Sequence, residues 1–191
     1  MSKHQLLLFD KPGPKNTAAT LAATQARADE LGIKTIVVAT NSGDTALKAF
    51  EAFENTSVKI IAVTLHAGRW EKHSPPDAGK VKAAEDLGVK FLTATHALMG
   101  NVSSAIREKF GGIGPVEIIA HTYYTFGQGM KVAVEVALMA ADAGLLGDEQ
   151  EIIAIAGTGK GADTAIVLSP AFTTSFFDLR IREVIAMVRG A

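Results

Sequence analysis

The sequence predicts an α/β fold: an open parallel sheet with helices on both faces. Three observations carry that prediction. Short runs at 36–39 and 60–63, rich in Ile and Val, and at 91–94 (Phe91-Leu92-Thr93-Ala94) alternate with stretches of helical pattern. The first two runs are apolar throughout rather than alternating, as strands covered on both faces must be. The turns from strand to helix are short and made of small polar residues, as in "VVATNSGDTALKAF" (37–50).

The elements follow in order. Residues 6–9 form a first apolar run. Asn16 is placed to cap an Ala-rich helix that stops at Leu31-Gly32, where glycine suits a helix C-terminus. Strand 36–39 feeds a helix over 45–54, and strand 60–63 follows. "LHAGRWEKHSPPDAGK" (65–80) reads as a long irregular loop, with Pro76-Asp77 opening a helix that runs to Leu87-Gly88. After strand 91–94 comes a helix around 103–110, stopped by Gly111-Gly112. Residues 114–131 fit a helical turn, a short strand or both. Met130, Val134, Ala137, Leu138 and Ala141 then recur at the helical period, and Val132, Val136 and Met139 occupy other faces. That helix, from Met130 to Gly144, is expected to be buried on most sides. Residues 151–168 read as strand, glycine-rich loop, strand. The tail, 176–190, fits a helix or an edge strand.

Composition narrows the function classes. The chain has 191 residues, and no linker or low-complexity segment divides it, so 1–191 is read as one domain. A net charge of -1 offers no basic face, which argues against nucleic acid as a partner. No apolar run approaches the roughly 20 residues that span a bilayer, which argues against a membrane protein. The start, "MSKHQLLLFDKPGP", is broken too early by Asp and Pro for a secretory leader, and a cytoplasmic location is expected. With no cysteine there is no disulfide, zinc–thiolate site or thiol nucleophile.

The candidate site comes from an internal echo. "VVAT", "IAVT" and "LTAT" each end a strand in Thr, and His66 and His96 follow the second and third closely. Parallel strands bring such ends to one edge, where open α/β sheets bind ligands at the point of strand-order reversal. Residues 42–45 open a helix whose free N–H groups and positive dipole end favour an anion. Plain capping by Ser42 or Asp44 is the alternative. Asn16 and Thr17 open another helix, with the same two possibilities. The loop Gly157-Thr158-Gly159-Lys160 lacks the P-loop spacing and precedes a strand. It is either a structural hairpin turn or a backbone wall for a ring or sugar, with Lys160 as a positive charge. His66, His96 and His121 lack metal-ligand spacing and are read chiefly as polar wall residues. Trp70 is placed to stack on a ligand or to close its own loop. No paired-carboxylate or Ser-His-Asp arrangement marks a catalytic residue.

Three stretches together, "IKTIVVATNSGDTA" (33–46), "KIIAVT" (59–64) and "EIIAIAGTGKGADTAIVL" (151–168), resemble the carboxy-terminal domain of pyruvate kinase, in order and in spacing. The chain is identified as similar to the stand-alone members of that domain family. The resemblance implies a three-layer α/β/α sandwich of sheet order 3-2-1-4-5 with the last strand antiparallel. It also implies that this is not a pyruvate kinase, whose chemistry resides in a barrel domain. In the full enzymes the loop matching 40–45 holds the phosphate of a sugar-phosphate effector, and stand-alone relatives look like binders of flavin mononucleotide (FMN). The expected ligand is therefore a phosphate-bearing small molecule. FMN is the first choice, with a minor flavin-dependent oxidoreductase activity conceivable. A non-catalytic sensor of a phosphorylated metabolite is the alternative. The site is expected to comprise Asn16, Thr17, Thr40, Asn41, Ser42, Gly43, Asp44, Thr45, Thr64, His66, Gly157, Thr158, Gly159 and Lys160. Ser42 and Thr45 hydroxyls are expected to face the ligand, with Asp44 turned away as a cap.

Overall fold

The computed structural model describes residues 5–73 and 75–190. Residues 1–4, at the start of the segment read as no secretory leader, lie outside that description, as do Ser74 and Ala191.

Strands form where β-branched and small apolar residues run without interruption. β2 (Thr35–Ala39), β3 (Lys59–Val63), β4 (Lys90–Leu92) and β5 (Ile152–Ala156) lie parallel, with β5 and β3 on either side of β2. β6 (Thr164–Ser169) returns antiparallel to β5. These five strands have the order expected, 3-2-1-4-5 with the last antiparallel. Two more extend the sheet. The tail forms β7 (Arg180–Val188), antiparallel to β6, and the first apolar run forms β1 (Leu7–Phe9), parallel to β7. The full order is β1-β7-β6-β5-β2-β3-β4, in which only β6 runs against its neighbours.

Side chains alternate between two cores, as a strand's period of two requires. Ile36, Val38, Ile153 and Ile155 pack under α1 (Thr17–Leu31), α2 (Asp44–Phe53) and α4 (Ala78–Asp86). Val37, Ile61, Ala154 and Ile166 pack under α7 (Gln128–Asp142), which α6 (Pro115–Tyr124) flanks. α5 (Val102–Phe110) lies against α6. The result is the three-layer sandwich. Arg27 on α1 locks the added strand in place: its Nε and Nη2 donate to the two carboxylate oxygens of Glu183 on β7, at 2.7 and 2.6 Å.

Four local expectations need correction. The loop after β3 is helical, with a 3-10 turn at Ala67–Arg69 and a short α3 at Trp70–His73. The Trp70 indole N–H closes it by donating to Leu65 O at 3.0 Å. β4 stops at Leu92, short of the expected Ala94, because its partner β3 ends at Val63; just beyond, Thr93 Oγ1 and Thr64 Oγ1 pair at 2.6 Å. Pro115 begins a full helix, since its missing N–H costs nothing in a first turn. Asn16 precedes α1 without capping it; its side chain instead donates to Lys11 O at 2.8 Å.

Candidate functional site

Strand order reverses between β2 and β5, so the loops that leave these two strands emerge side by side at the C-terminal edge. The first loop turns on Thr40, whose Oγ1 accepts from Gly43 N at 3.1 Å. Gly43 takes φ +97, and a Cβ there would lie 3.0 Å from Lys80 Cβ on α4. The approach of α4 thus requires glycine here. Asp77, which caps α4 by accepting from Lys80 N, also donates its own N–H to Ser42 O at 3.2 Å.

Asp44 is turned away but does not cap. Lys80 Nζ meets its Oδ1 at 2.6 Å, and this hydrogen bond and charge hold the carboxyl below its ordinary range. α2 consequently begins at Gly43 with no side-chain cap. Ser42 Oγ is half-buried, with only a long contact of 3.4 Å from Asp44 N, while Thr45 is buried beneath the first turn. Asn41 is exposed at the tip.

The second loop, 157–163, is a hairpin connection between β5 and β6, pinned to the start of α1. Ala162 N donates to Thr17 Oγ1 at 3.0 Å, and Thr20 Oγ1 donates to Ala162 O. Asp163, wholly buried, organises the turn: Gly13 N and Thr158 N donate to its Oδ2, and Thr164 Oγ1 to its Oδ1. A Cβ on Gly157 would collide with Gly161 O, so this glycine lets the loop close on itself. Gly159 and Lys160 are exposed, and Gly159 faces open space. Among the described residues Lys160 has no ion-pair partner.

The structure therefore gathers Asn16, Thr17, residues 40–45 and residues 157–160 around one sheet edge. Thr64 and His66 lie along the same edge, after β3. The His66 ring lies 5.4 Å from that of His96, tilted by 58°, and its imidazole is pushed below the ordinary range by burial, then by the nearby charges of His96 and Arg69. His96 itself is sealed. Its Nδ1 lies 3.1 Å from Glu135 Oε2 and its Nε2 3.2 Å from Thr64 O. Both ring nitrogens thus face partners inside the protein. His121 is exposed on α6 against Tyr124. No group of three or more potential ligands close enough to hold a metal occurs among the described residues.

Sequence reasoning missed the buried charges behind this edge. Glu135 Oε2 accepts from Lys131 Nζ at 2.5 Å as well as facing His96, and its Oε1 accepts from Leu98 N and Met99 N. Burial alone would raise the Glu135 carboxyl, but the hydrogen bonds and charges of His96 and Lys131 outweigh it and bring the pKa down to about 2. The signal was present: Lys131 and Glu135 stand four apart inside an otherwise apolar helix.

Two cavities, of about 390 and 270 Å³, open at the other edge of the sheet, where Lys34, Glu149 and Arg182 line one and Leu146, Pro170 and Phe172 the other. They lie away from the helix N-termini. An anion is held by N–H groups and a dipole end rather than by volume, so the loop edge remains the candidate site.

The fold and this edge define an open α/β domain with its switch point between two loops. Comparison with known families makes this specific. The model of the pyruvate kinase alpha/beta domain matches residues 18–168, and the chain belongs to that family. The matched span runs from α1 to β6; β1 and β7 lie outside it. No helix of the described residues is long and apolar enough to cross a membrane.

Proposed function

We propose that the protein binds a phosphate-bearing small molecule between loops 40–45 and 157–163, with FMN as the first ligand to test. One observation carries the proposal. α1 and α2 both begin at this edge without a side-chain cap, a trait they share with α6 and α7; α1 continues a 3-10 turn at Pro14–Asn16, where Thr17 N donates to Pro14 O, so α2 offers the freer start. Uncapped N–H groups and two positive dipole ends beside a switch point suit a phosphate dianion. Ser42 and Thr158 lie on the loops that would hold it, and Lys160, without an ion-pair partner, adds charge. A flavin ring or sugar would extend along the edge toward Thr64 and His66.

The test is direct. The purified protein should show flavin absorbance, or quench the fluorescence of added FMN with saturable binding. Ser42→Asp should weaken that binding at least ~10-fold, because it sets a second carboxylate at the helix start. A colourless protein that leaves FMN fluorescence unchanged ends the flavin assignment.

A second reading, a non-catalytic sensor of a phosphorylated metabolite, rests on the same α2 start, which would serve any phosphate group. Thermal-shift measurements with sugar phosphates and with FMN separate the two: stabilisation by sugar phosphates alone favours the sensor, and by FMN alone the flavoprotein.

A further inference from the structure

α5 is built inside out. A surface helix ordinarily turns its apolar stripe to the core. Here Ser104 is the buried residue, its Oγ accepting from Gly100 N, while Ser103 Oγ donates to the Glu117 carboxylate of α6. The apolar stripe faces outward: Val102, Ile106 and Phe110, at i, i+4 and i+8, are 76%, 54% and 74% exposed. Ile113, just past the helix, is 60% exposed. No described segment of the chain covers these side chains. Together they expose on the order of 400 Å² of apolar surface, as much as the largest patch of a typical monomer.

We infer that this stripe is a homodimer interface, closed by the α5 of a second copy packed antiparallel about a two-fold axis through Ile106. Two features favour a second copy. The first is area. A stable interface takes about 800 Å² from each partner, roughly 65% of it apolar in homodimers. The stripe supplies most of that apolar share, and its polar flanks supply a rim. The second is charge. Arg107, Glu108 and Lys109, the charged residues of α5, all lie in its C-terminal half. Arg107 is half-buried on the side of Glu117 and Glu108 pairs with Arg69, so the charge at the stripe is Lys109, whose Nζ lies over the Phe110 ring. In an antiparallel pair Lys109 faces the uncharged half of the partner, Asn101 to Ala105, whereas a parallel pair would set it against its own copy. Antiparallel packing also opposes the two helix dipoles favourably. Val102 of each copy then meets Phe110 of the other, a large residue against a smaller one, with Ile106 on Ile106 at the centre. This interface lies on α5, whereas the candidate ligand edge lies between β2 and β5, so its failure would leave the binding proposal untouched.

Sedimentation velocity on the full chain at micromolar concentrations should show a dimer. Ile106→Glu should weaken dimerisation ~100-fold or more, since it buries two carboxylates at the axis. Its thermal midpoint, read at a concentration where the wild type is also monomeric, should be unchanged because the side chain is exposed. The chain has no cysteine, so single substitutions report geometry cleanly. Ile106→Cys should cross-link to itself on mild oxidation. Val102→Cys should cross-link with Phe110→Cys more readily than with itself. A monomeric wild type overturns the inference, including one that binds anionic lipid vesicles through the stripe. So does a dimer that survives Ile106→Glu, or efficient cross-linking of Val102→Cys to itself.

Discussion

Lys80 Nζ lies 2.6 Å from Asp44 Oδ1, joining the first turn of α2 to the first turn of α4. The pair settles how an acidic residue can stand at the start of a helix proposed to hold a phosphate. Asp44 neither caps α2 nor stands unpaired: its charge is matched by a residue 36 positions away.

Loss of that match should be felt by an anion first. Lys80→Ala should weaken FMN or phosphate-ligand binding several-fold, because it leaves the Asp44 carboxylate uncompensated at the helix start. Asp44→Asn should bind as tightly as wild type or more so. Both side chains are substantially exposed, and the pair should matter little to folding. Fluorescence titration of the two variants, with their thermal midpoints, checks the pair of outcomes.

Behind the edge the stakes are different. Glu135 is buried, accepts from Lys131 and from two backbone N–H groups, and faces His96. Glu135→Gln leaves Lys131 buried without a counter-charge and should cost about 3–5 kcal/mol. Glu135→Leu should cost more, since Leu98 N and Met99 N then lose their acceptor as well. Urea denaturation of the three proteins ranks them.

The same carboxylate gives a pH signature. Its pKa falls from the ordinary 4.5 to about 2 in the folded protein. Between those values the unfolded chain binds the extra proton, so stability falls as the pH is lowered through the window. The contribution is complete above 4.5 and amounts to about 3 kcal/mol by linkage. Denaturation midpoints measured from pH 5 downward should therefore decline in the wild type and decline less steeply in Glu135→Gln.

Two glycines of one loop separate backbone strain from close packing. Gly159 and Gly161 both take positive φ, +78 and +72. A Cβ on Gly159 meets nothing, whereas one on Gly161 would lie 2.5 Å from Thr17 Oγ1 and 2.6 Å from Pro14 Cα. Gly159→Ala should cost about 1 kcal/mol, the strain alone. Gly161→Ala should cost about 1–3 kcal/mol more, because backbone must move. It should also release the start of α1, seen as faster hydrogen exchange at Ala162 N.

Strands and buried helices were legible because their signals are local. Uninterrupted Ile/Val runs mark two-sided burial, and the period in α7 marks a helix. The tail was not legible, because "LRIREVIAMV" has a strand's residues without a clean alternation, and only pairing with β6 and β1 decides it. At the site, the two loops were legible as strand-to-turn boundaries, but their long-range neighbours were not. Gly43 lies against Lys80, far along the chain. Asp163 stands in a glycine-rich loop and Glu135 one helical turn from Lys131. Their importance lies in long-range hydrogen bonds, to Gly13 and to Leu98 and Met99, that no window of sequence contains.

The partnership of β1 with β7 sets an order of events during folding. Leu7 pairs with Ala186, from the far end of the described sheet in sequence. The five matched strands can assemble before that, but β6 then stands as an open edge of Ala165, Ile166, Val167 and Leu168. Unpaired edges of this composition invite pairing with other chains. Docking of β7 both finishes the sheet and withdraws its most adhesive border, so folding intermediates in which β7 has not yet paired are the ones most exposed to misassembly.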